Sequence, residues 1–382
     1  MKVIEFGSIK GNKIVPAKLR EARVARGLSL AQLSKLIGIS SQAISQFEKG
    51  ETKPSPTTLV KLIETLDFPI NFFCSSYNGH LENEVIYFRS NKNITNKLKD
   101  ACKSRIPWIE KVYLLIESYF QLPKLEIPKL ENLDVESIDN TQIEEITLKL
   151  REYWGLDQSP IENLIDILQS KGFVITKLKI GTKKIDAFSV WKNDVPYIFI
   201  GDDKESAVRL RFDLAHELAH LLMHKDIDKE ELDEDKELYN KIEEQANYFA
   251  SAFLLPIEAF NKEVISSSID SFILLKKRWK VSISAMIKRC QNANILTDNQ
   301  IRYLNSQMIK YGYYRKEPLD EEIKKETPYL FKQAFEILVE NNIYTKEAIL
   351  EKLELNKNEA IELYSLDKSF FEKSNNILKL IK

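Results

Sequence analysis

The chain has 382 residues, 43% hydrophobic and 30% charged, with a formal net charge of −1. That balance belongs to a globular protein with room for two or three domains, and it excludes a disordered or fibrous chain. Three cysteines, Cys74, Cys102 and Cys290, are far apart and odd in number, which excludes a disulfide framework and fits a reducing cytosol.

No charged-then-apolar leader opens the sequence, and no apolar run reaches the roughly eighteen residues that a membrane span needs. A cytoplasmic protein without a membrane partner is therefore expected. Its charge is uneven: residues 1–70 hold 11 Lys/Arg against 6 Asp/Glu, and residues 226–245 hold 10 acids against 3 lysines. The basic end suits a polyanion, and the acidic stretch reads as a solvated loop or helix.

Residues 16–75 carry the same helix signal repeatedly: a capping residue in front, apolar residues at 3–4 spacing, glycine behind. "PAKLREARVARGLS" starts with proline and stops at Gly27. "SLAQLSKLIG" runs from a Ser29 cap to Gly38, "SSQAISQFEKG" from a Ser40 cap to Gly50, and "SPTTLVKLIETLDFP" from Ser55 or Thr57. Leu33, Leu36, Ile37, Ile39, Ile44 and Phe47 can pack two of these helices around the turn at Gly38.

"LSLAQLSKLIGISSQAISQFEKGETKP" resembles the helix-turn-helix of XRE-type phage repressors. The recognition helix is expected from Ser41 to Lys49, presenting Ser41, Gln42, Ser45 and Gln46 to the major groove, where glutamine can pair two-fold with adenine. Gln32 and Lys53 are expected phosphate contacts, which position without specifying. A single module binds weakly, so a homodimer reading two half-sites of double-stranded DNA is expected.

Further on, "VIYFRS" reads as a short strand or extended stretch, and "NITNKLKDACKSRIPWIEKVYLLIESYFQLP" as one or two amphipathic helices. "KLEIPKLENLDVESID", with two prolines in a polar setting, is the expected linker. A helix over 141–155 is followed by "SPIENLIDILQSKG", with Ser159 as cap and Pro160 at its first position. "FVITKLKI", "IDAFSVW" and "VPYIFIG" are expected strands, the last two joined as a hairpin through "KND". Helix signals return at 204–225 and 238–255, and everything beyond 256 reads as helical.

Three of the chain's 4 histidines fall within "FDLAHELAHLLMH". On a helix His216 and His220 share a face and can ligate one ion, while Glu217 flanks that face and can reach a water at the metal. This is the H-E-x-x-H arrangement of two zinc ligands and a general base. The rest of the segment is apolar, so the pair is buried and needs something to satisfy it. The bland alternative is a chance match on a core helix.

A catalytic zinc needs a third protein ligand and an open position. His224 is near, but it lies one further turn along the same straight helix. Asp226 would require a glycine at 223, where the chain has Met223. Glu243, in "IEEQANYFASAFLLP", is preferred, with its neighbour Glu244 as the rival. Asn247 shares a helix face with Glu243 and could accept a hydrogen bond from a ligand imidazole, fixing its tautomer. Glu217 would take a proton from water and return it to the leaving amine as a peptide bond is cut. Tyr248, Arg209 and Arg211 are near enough in sequence to stabilise an oxyanion, with none preferred.

"WGLDQSPIENLIDILQSKGFVI", "DAFSVWKNDVPYIFI", "RFDLAHELAHLLMH" and "EEQANYFASAFLLP", in this order and spacing, resemble the ImmA/IrrE family of bacterial and phage metallopeptidases, in the version fused to an XRE-type helix-turn-helix. "IYFRS" resembles the motif that follows the first domain in the fused versions. The likeness spans roughly residues 15 to 290. It implies that His216, His220 and Glu243 hold one Zn²⁺ per chain, that Glu217 is the catalytic base, and that the substrate is an XRE-type repressor. Ala219 stands where the family commonly has glycine.

The expected fold is mainly α with a small β-sheet (α+β). Residues 15–75 form an all-α helix-turn-helix domain, 76–135 a helical connector, 136–295 a zincin-like metallopeptidase domain, and 296–382 a C-terminal helical module serving as lid, dimerisation or substrate-recognition element. The expected function is a DNA-binding zinc endopeptidase and transcription regulator. The alternative is a non-proteolytic regulator with structural or sensing zinc, either of them compatible with a toxin–antitoxin or phage-defence setting.

Overall fold

The computed structural model describes residues 14–76, 85–90, 95–130, 133–178, 185–201 and 206–372. It is mainly helical with one four-stranded sheet, and its contacts divide the chain into two compact units. Neither unit is one continuous stretch of chain. One comprises residues 1–81, 93–121 and 329–382; the other comprises 82–92 and 122–328.

The first unit begins with five helices: Pro16–Ala25, Leu30–Ile37, Ser41–Lys49, Pro56–Leu66 and Ile70–Cys74. Their starts follow local chemistry. The hydroxyls of Ser29, Ser40 and Ser55 each accept a hydrogen bond from the backbone three residues on, satisfying N–H groups that a helix end leaves without partners. Gly38 and Gly50 end two of these helices at φ of 75° and 76°, a conformation that costs a side-chain-bearing residue energy. Leu33, Ile37 and Ile44 are buried between the helices, Ile39 and Phe47 are half-buried, and Leu36, expected to pack with them, is 61% exposed. It lies one residue before Ile37, about 100° around the helix and off the packed face.

The long stretch after residue 94 forms two helices, Asn96–Lys103 and Ile106–Glu117, with Pro107 in the first turn of the second. Helices Leu330–Glu340, Lys346–Leu353 and Lys357–Leu363 belong to this same unit. The carboxylate of Glu359 accepts from Arg26 at 2.8 Å and from the buried Arg105 at 3.3 Å. Asn71 donates to the Glu351 carbonyl at 2.7 Å, Asn356 to the Asp67 carbonyl at 3.0 Å, and Tyr364 to the Trp108 carbonyl at 3.3 Å.

The second unit is built on a sheet of β1 (Ile86–Ser90), β2 (Val174–Leu178), β3 (Ile185–Lys192) and β4 (Val195–Gly201), in the order β1-β3-β4-β2. β3 and β4 form the expected hairpin through Asn193 and Asp194, both at positive φ (50° and 61°), the twist a two-residue hairpin loop requires. β2 runs parallel to β4, and β1 pairs antiparallel with β3. Helix Ala207–Met223 lies against the sheet and is buried along nearly its whole length, which explains its apolar composition all round. Helices Lys236–Leu254 and Asn140–Tyr153 pack behind it, in the core that holds Leu214, Leu218, Phe249 and Phe253.

Two expectations are corrected here. The described residues of the expected linker pack as a strap: Leu125, Ile127, Leu130 and Leu133 lie against the core, and the Glu126 carbonyl accepts from Trp154 Nε1 at 2.8 Å. A Cβ on Gly172 would lie 2.6 Å from the Leu125 backbone, so the strap can pass only because that residue is glycine. The helix expected from Ser159 starts instead at Leu164, capped by Asn163. The carbonyls of Asp157 and Ser159 are taken by Arg151, and the Glu326 carboxylate accepts from the Leu164 and Ile165 N–H groups at 2.9 and 3.0 Å.

Candidate functional site

Helix Ala207–Met223 places His216, Glu217 and His220 against the sheet, and all three are fully buried. Helix Lys236–Leu254 crosses it and carries Glu243 to the same point. His216 Nε2 and His220 Nε2 are 3.0 Å apart, and Glu243 oxygens lie 3.5 Å from the first and 3.4 Å from the second. Among the described residues this is the one group of three or more ligating side chains drawn together in this way.

Those distances test whether the residues suit a metal. Zinc bonds of about 2.0–2.1 Å arranged tetrahedrally put neighbouring donor atoms about 3.3 Å apart. The observed separations, one between the imidazoles and one from each imidazole to a different Glu243 oxygen, lie around that value, and two imidazoles with one carboxylate leave a fourth position for water or substrate. The donor set fits. Burial pushes the Glu243 carboxyl upward, but the two imidazoles facing it outweigh that and hold the group well below the usual carboxylate range. Glu243 is thus an anion facing two histidines, as a ligand must be.

Glu244, the rival, points elsewhere and lines a cavity of about 700 Å³ with Phe212, Lys241, Asn247 and Tyr248. Asn247 Oδ1 lies 3.2 Å from His216 Nδ1, while its amide nitrogen donates to the Glu243 carbonyl at 2.8 Å. The amide oxygen therefore faces the ring and can only accept, so His216 carries its proton on Nδ1 and turns a bare Nε2 inward. His224 stands outside the triad, at 2.9 Å from His220 Nδ1 and 3.0 Å from Gln245 Oε1. Burial, and then the neighbouring His220, hold it well below the usual imidazole range.

Among the side chains named for an oxyanion, Tyr248 donates to Glu144 at 2.9 Å, and Arg211 is held by Glu326 and by the Ile161 carbonyl at 2.7 Å. Arg209 lines a second cavity, of about 430 Å³, with Phe212 and Asp213.

Four residues at the site escaped sequence reasoning. Ser189, on β3, donates to Glu217 Oε2 at 2.6 Å. Tyr87, on β1, stacks on the His220 ring at 4.6 Å and 6°, and its hydroxyl donates to the His224 carbonyl. Gln245 holds His224 from the neighbouring helix. Tyr239, one turn before Glu243, has its hydroxyl pushed up to about 12 by burial and then by the charges of Glu243 and Glu217. The only available signal was the strand "VIYFRS" and the i,i+4 spacing of Tyr239 and Glu243.

In the first unit, Ser41, Gln42 and Lys53 are exposed, and Ser45 and Gln46 are half-buried on the same helix face. Ser41, Gln42, Ser45 and Gln46 line a shallow hollow of about 480 Å³ with Leu30, Ala31, Lys49 and Glu51. Gln32 is exposed, but its side-chain oxygen already accepts from the Ser29 N–H at 2.9 Å and from Lys97 at 2.7 Å. Lys97 brings a cation to the start of the helix before the recognition helix.

No described helix is long and apolar enough to cross a membrane. Residues 168–291 match the family model of the IrrE N-terminal-like domain, a peptidase family, and residues 19–73 match a helix-turn-helix model. No curated protein matches the chain. A helix-turn-helix joined to a domain of this kind fits a DNA-binding regulator or a protease. The chain thus carries an XRE-type helix-turn-helix and, beyond it, an IrrE/ImmA-like domain of the metallopeptidase type.

Proposed function

We propose that the protein is a DNA-binding zinc endopeptidase, in which His216, His220 and Glu243 hold one zinc ion and Glu217 is the general base. The observation that carries this reading is the pair of Nε2 atoms 3.0 Å apart, each within 3.5 Å of a Glu243 carboxylate oxygen, beside a glutamate that a purely structural site does not need. Zinc supplies Lewis acidity, both toward water and toward a peptide carbonyl. Glu217 accepts the proton that water loses and delivers it to the departing amine. Ser189 fixes the rotation of that carboxylate, and Asn247 holds His216 with its Nε2 lone pair inward.

The helix-turn-helix binds double-stranded DNA through Gln42, Gln46, Ser41 and Ser45, with Gln32 and Lys53 at phosphates, as a homodimer. The substrate is a protein, an XRE-type repressor whose loss releases the genes it silences. Three free thiols accord with a reducing compartment, the cytoplasm.

A non-proteolytic regulator with structural zinc is the second reading, favoured by the complete burial of Glu217. The experiment that separates the two incubates zinc-loaded protein with repressors encoded beside its gene and maps any cut by mass spectrometry. Wild type should cut at one site and Glu217→Gln should not, while retaining its zinc. If no cut occurs, or if Glu217→Gln cuts equally well, the endopeptidase reading is wrong.

A further inference from the structure

The third histidine of the cluster is fully buried, stands outside the group of His216, His220 and Glu243, and sits within a chain of hydrogen bonds that has one consistent direction. The chain starts at Gln245. Its side-chain amide nitrogen donates to the Val135 carbonyl at 2.9 Å and to the Ile138 carbonyl at 3.3 Å. Two carbonyls on one side fix the amide, so the other atom, 3.0 Å from His224 Nε2, is its oxygen. An amide oxygen only accepts, so His224 carries a proton on Nε2.

A neutral imidazole protonated there has a bare Nδ1. That atom lies 2.9 Å from His220 Nδ1. Two bare nitrogens, or two N–H groups, would repel at this distance, so His220 must place its one proton on Nδ1. Its Nε2 is left bare, and Nε2 is the atom that faces His216 and Glu243. Tyr87 closes the arrangement from another side, lying flat on the His220 ring and donating to the His224 carbonyl.

We propose that Gln245 and His224 are positioning residues that form a tautomer relay: backbone carbonyls orient Gln245, Gln245 sets the proton of His224, and His224 sets the proton of His220, presenting its Nε2 lone pair for metal binding. His216 receives the same setting from a separate source, Asn247. Two bare Nε2 atoms 3.0 Å apart repel as well, so the setting is complete only when a cation lies between them. The inference rests on the metal site proposed above, and the proton positions are read with that site loaded.

The test has two arms. In the first, ¹⁵N shifts of the ring nitrogens are recorded on the zinc-loaded wild-type protein, which has only 4 histidines to assign. The relay requires His220 protonated on Nδ1 and His224 on Nε2. A His224 proton on Nδ1, or a His220 bound to zinc through Nδ1, overturns it.

In the second arm, zinc affinity is measured by chelator competition for wild type, His224→Phe and His224→Gln, with thermal unfolding of the metal-free forms as a control on folding. Removing such an outer partner of a metal ligand typically costs about 10–100-fold in affinity. His224→Phe should show that loss, and His224→Gln, whose amide oxygen can still accept from His220, should recover most of it. Equal affinity in all three overturns the relay and leaves His224 a packing residue. A wild type that binds no zinc removes the metal site itself, an outcome distinct from a wrong tautomer.

Discussion

Ser189 and Glu217, 28 positions apart, meet where strand β3 crosses the histidine helix: the serine hydroxyl donates to Glu217 Oε2 at 2.6 Å, and both side chains are fully buried. A hydrogen bond to a charged acceptor contributes about 1.5–3 kcal/mol. If it orients the base, the loss falls on the transition state, and about 1.4 kcal/mol is tenfold in rate. Ser189→Ala should therefore fold, keep its zinc and show kcat reduced about tenfold or more with KM little changed. Steady-state kinetics on the mapped substrate checks the split; a KM effect alone would make Ser189 a binding residue.

Glu359 carries a prediction about stability. It accepts from both Arg26 and Arg105, and Arg105 is nearly inaccessible to solvent, with burial lowering its pKa. Removing the acid strands a buried guanidinium, which typically costs about 3–5 kcal/mol. Glu359→Ala should lower the denaturation midpoint of the unit that contains the helix-turn-helix and leave zinc content unchanged. Tryptophan fluorescence and elemental analysis of the same sample check this, because Trp108 packs in that unit.

DNA binding separates two kinds of residue. Gln42→Ala should weaken the preferred sequence by about 1–3 kcal/mol and spare other sequences. Lys97→Ala should weaken all sequences alike and reduce the salt slope by about one, as the loss of a phosphate contact does. Anisotropy titrations at several salt concentrations distinguish them.

Thiol chemistry probes the two units without substrate. Burial pushes the Cys102 and Cys290 thiols up to about 12, so almost no thiolate exists at pH 8, while Cys74 is half-buried and raised less. At pH 8 a thiol reagent should modify Cys74 alone in the native protein and all three cysteines after denaturation. Rapid native modification of Cys290 would contradict the packed core of the second unit.

The features legible in the sequence are those whose physics is local. Serine caps, glycine stops and the polar turn at Asn193 and Asp194 each act within a few residues, and the structure follows them closely. The spacing of His216, Glu217 and His220 is local as well, so the helix brings the three together without outside help. Glu243 was reached by reasoning from chemistry across to the next helix.

What escaped depends on contacts distant in the chain. Nothing near Tyr87 indicates that its ring will meet His220, 133 positions on, and nothing near Ser189 points to Glu217. Ser159 looked like a cap because the competing claims of Arg151 and Glu326 are invisible in a local window. Residues 296–382 read as a C-terminal helical module; within it the carboxylate of Glu359 accepts from arginines more than 250 positions earlier.

The most direct test of the central claim is zinc stoichiometry by elemental analysis of protein purified without chelator. Wild type should hold one zinc ion per chain, Glu217→Gln should hold the same, and His216→Ala, His220→Ala and Glu243→Ala should each lose it. A wild type without stoichiometric zinc, or a Glu243→Ala variant that keeps it undiminished, would contradict the account.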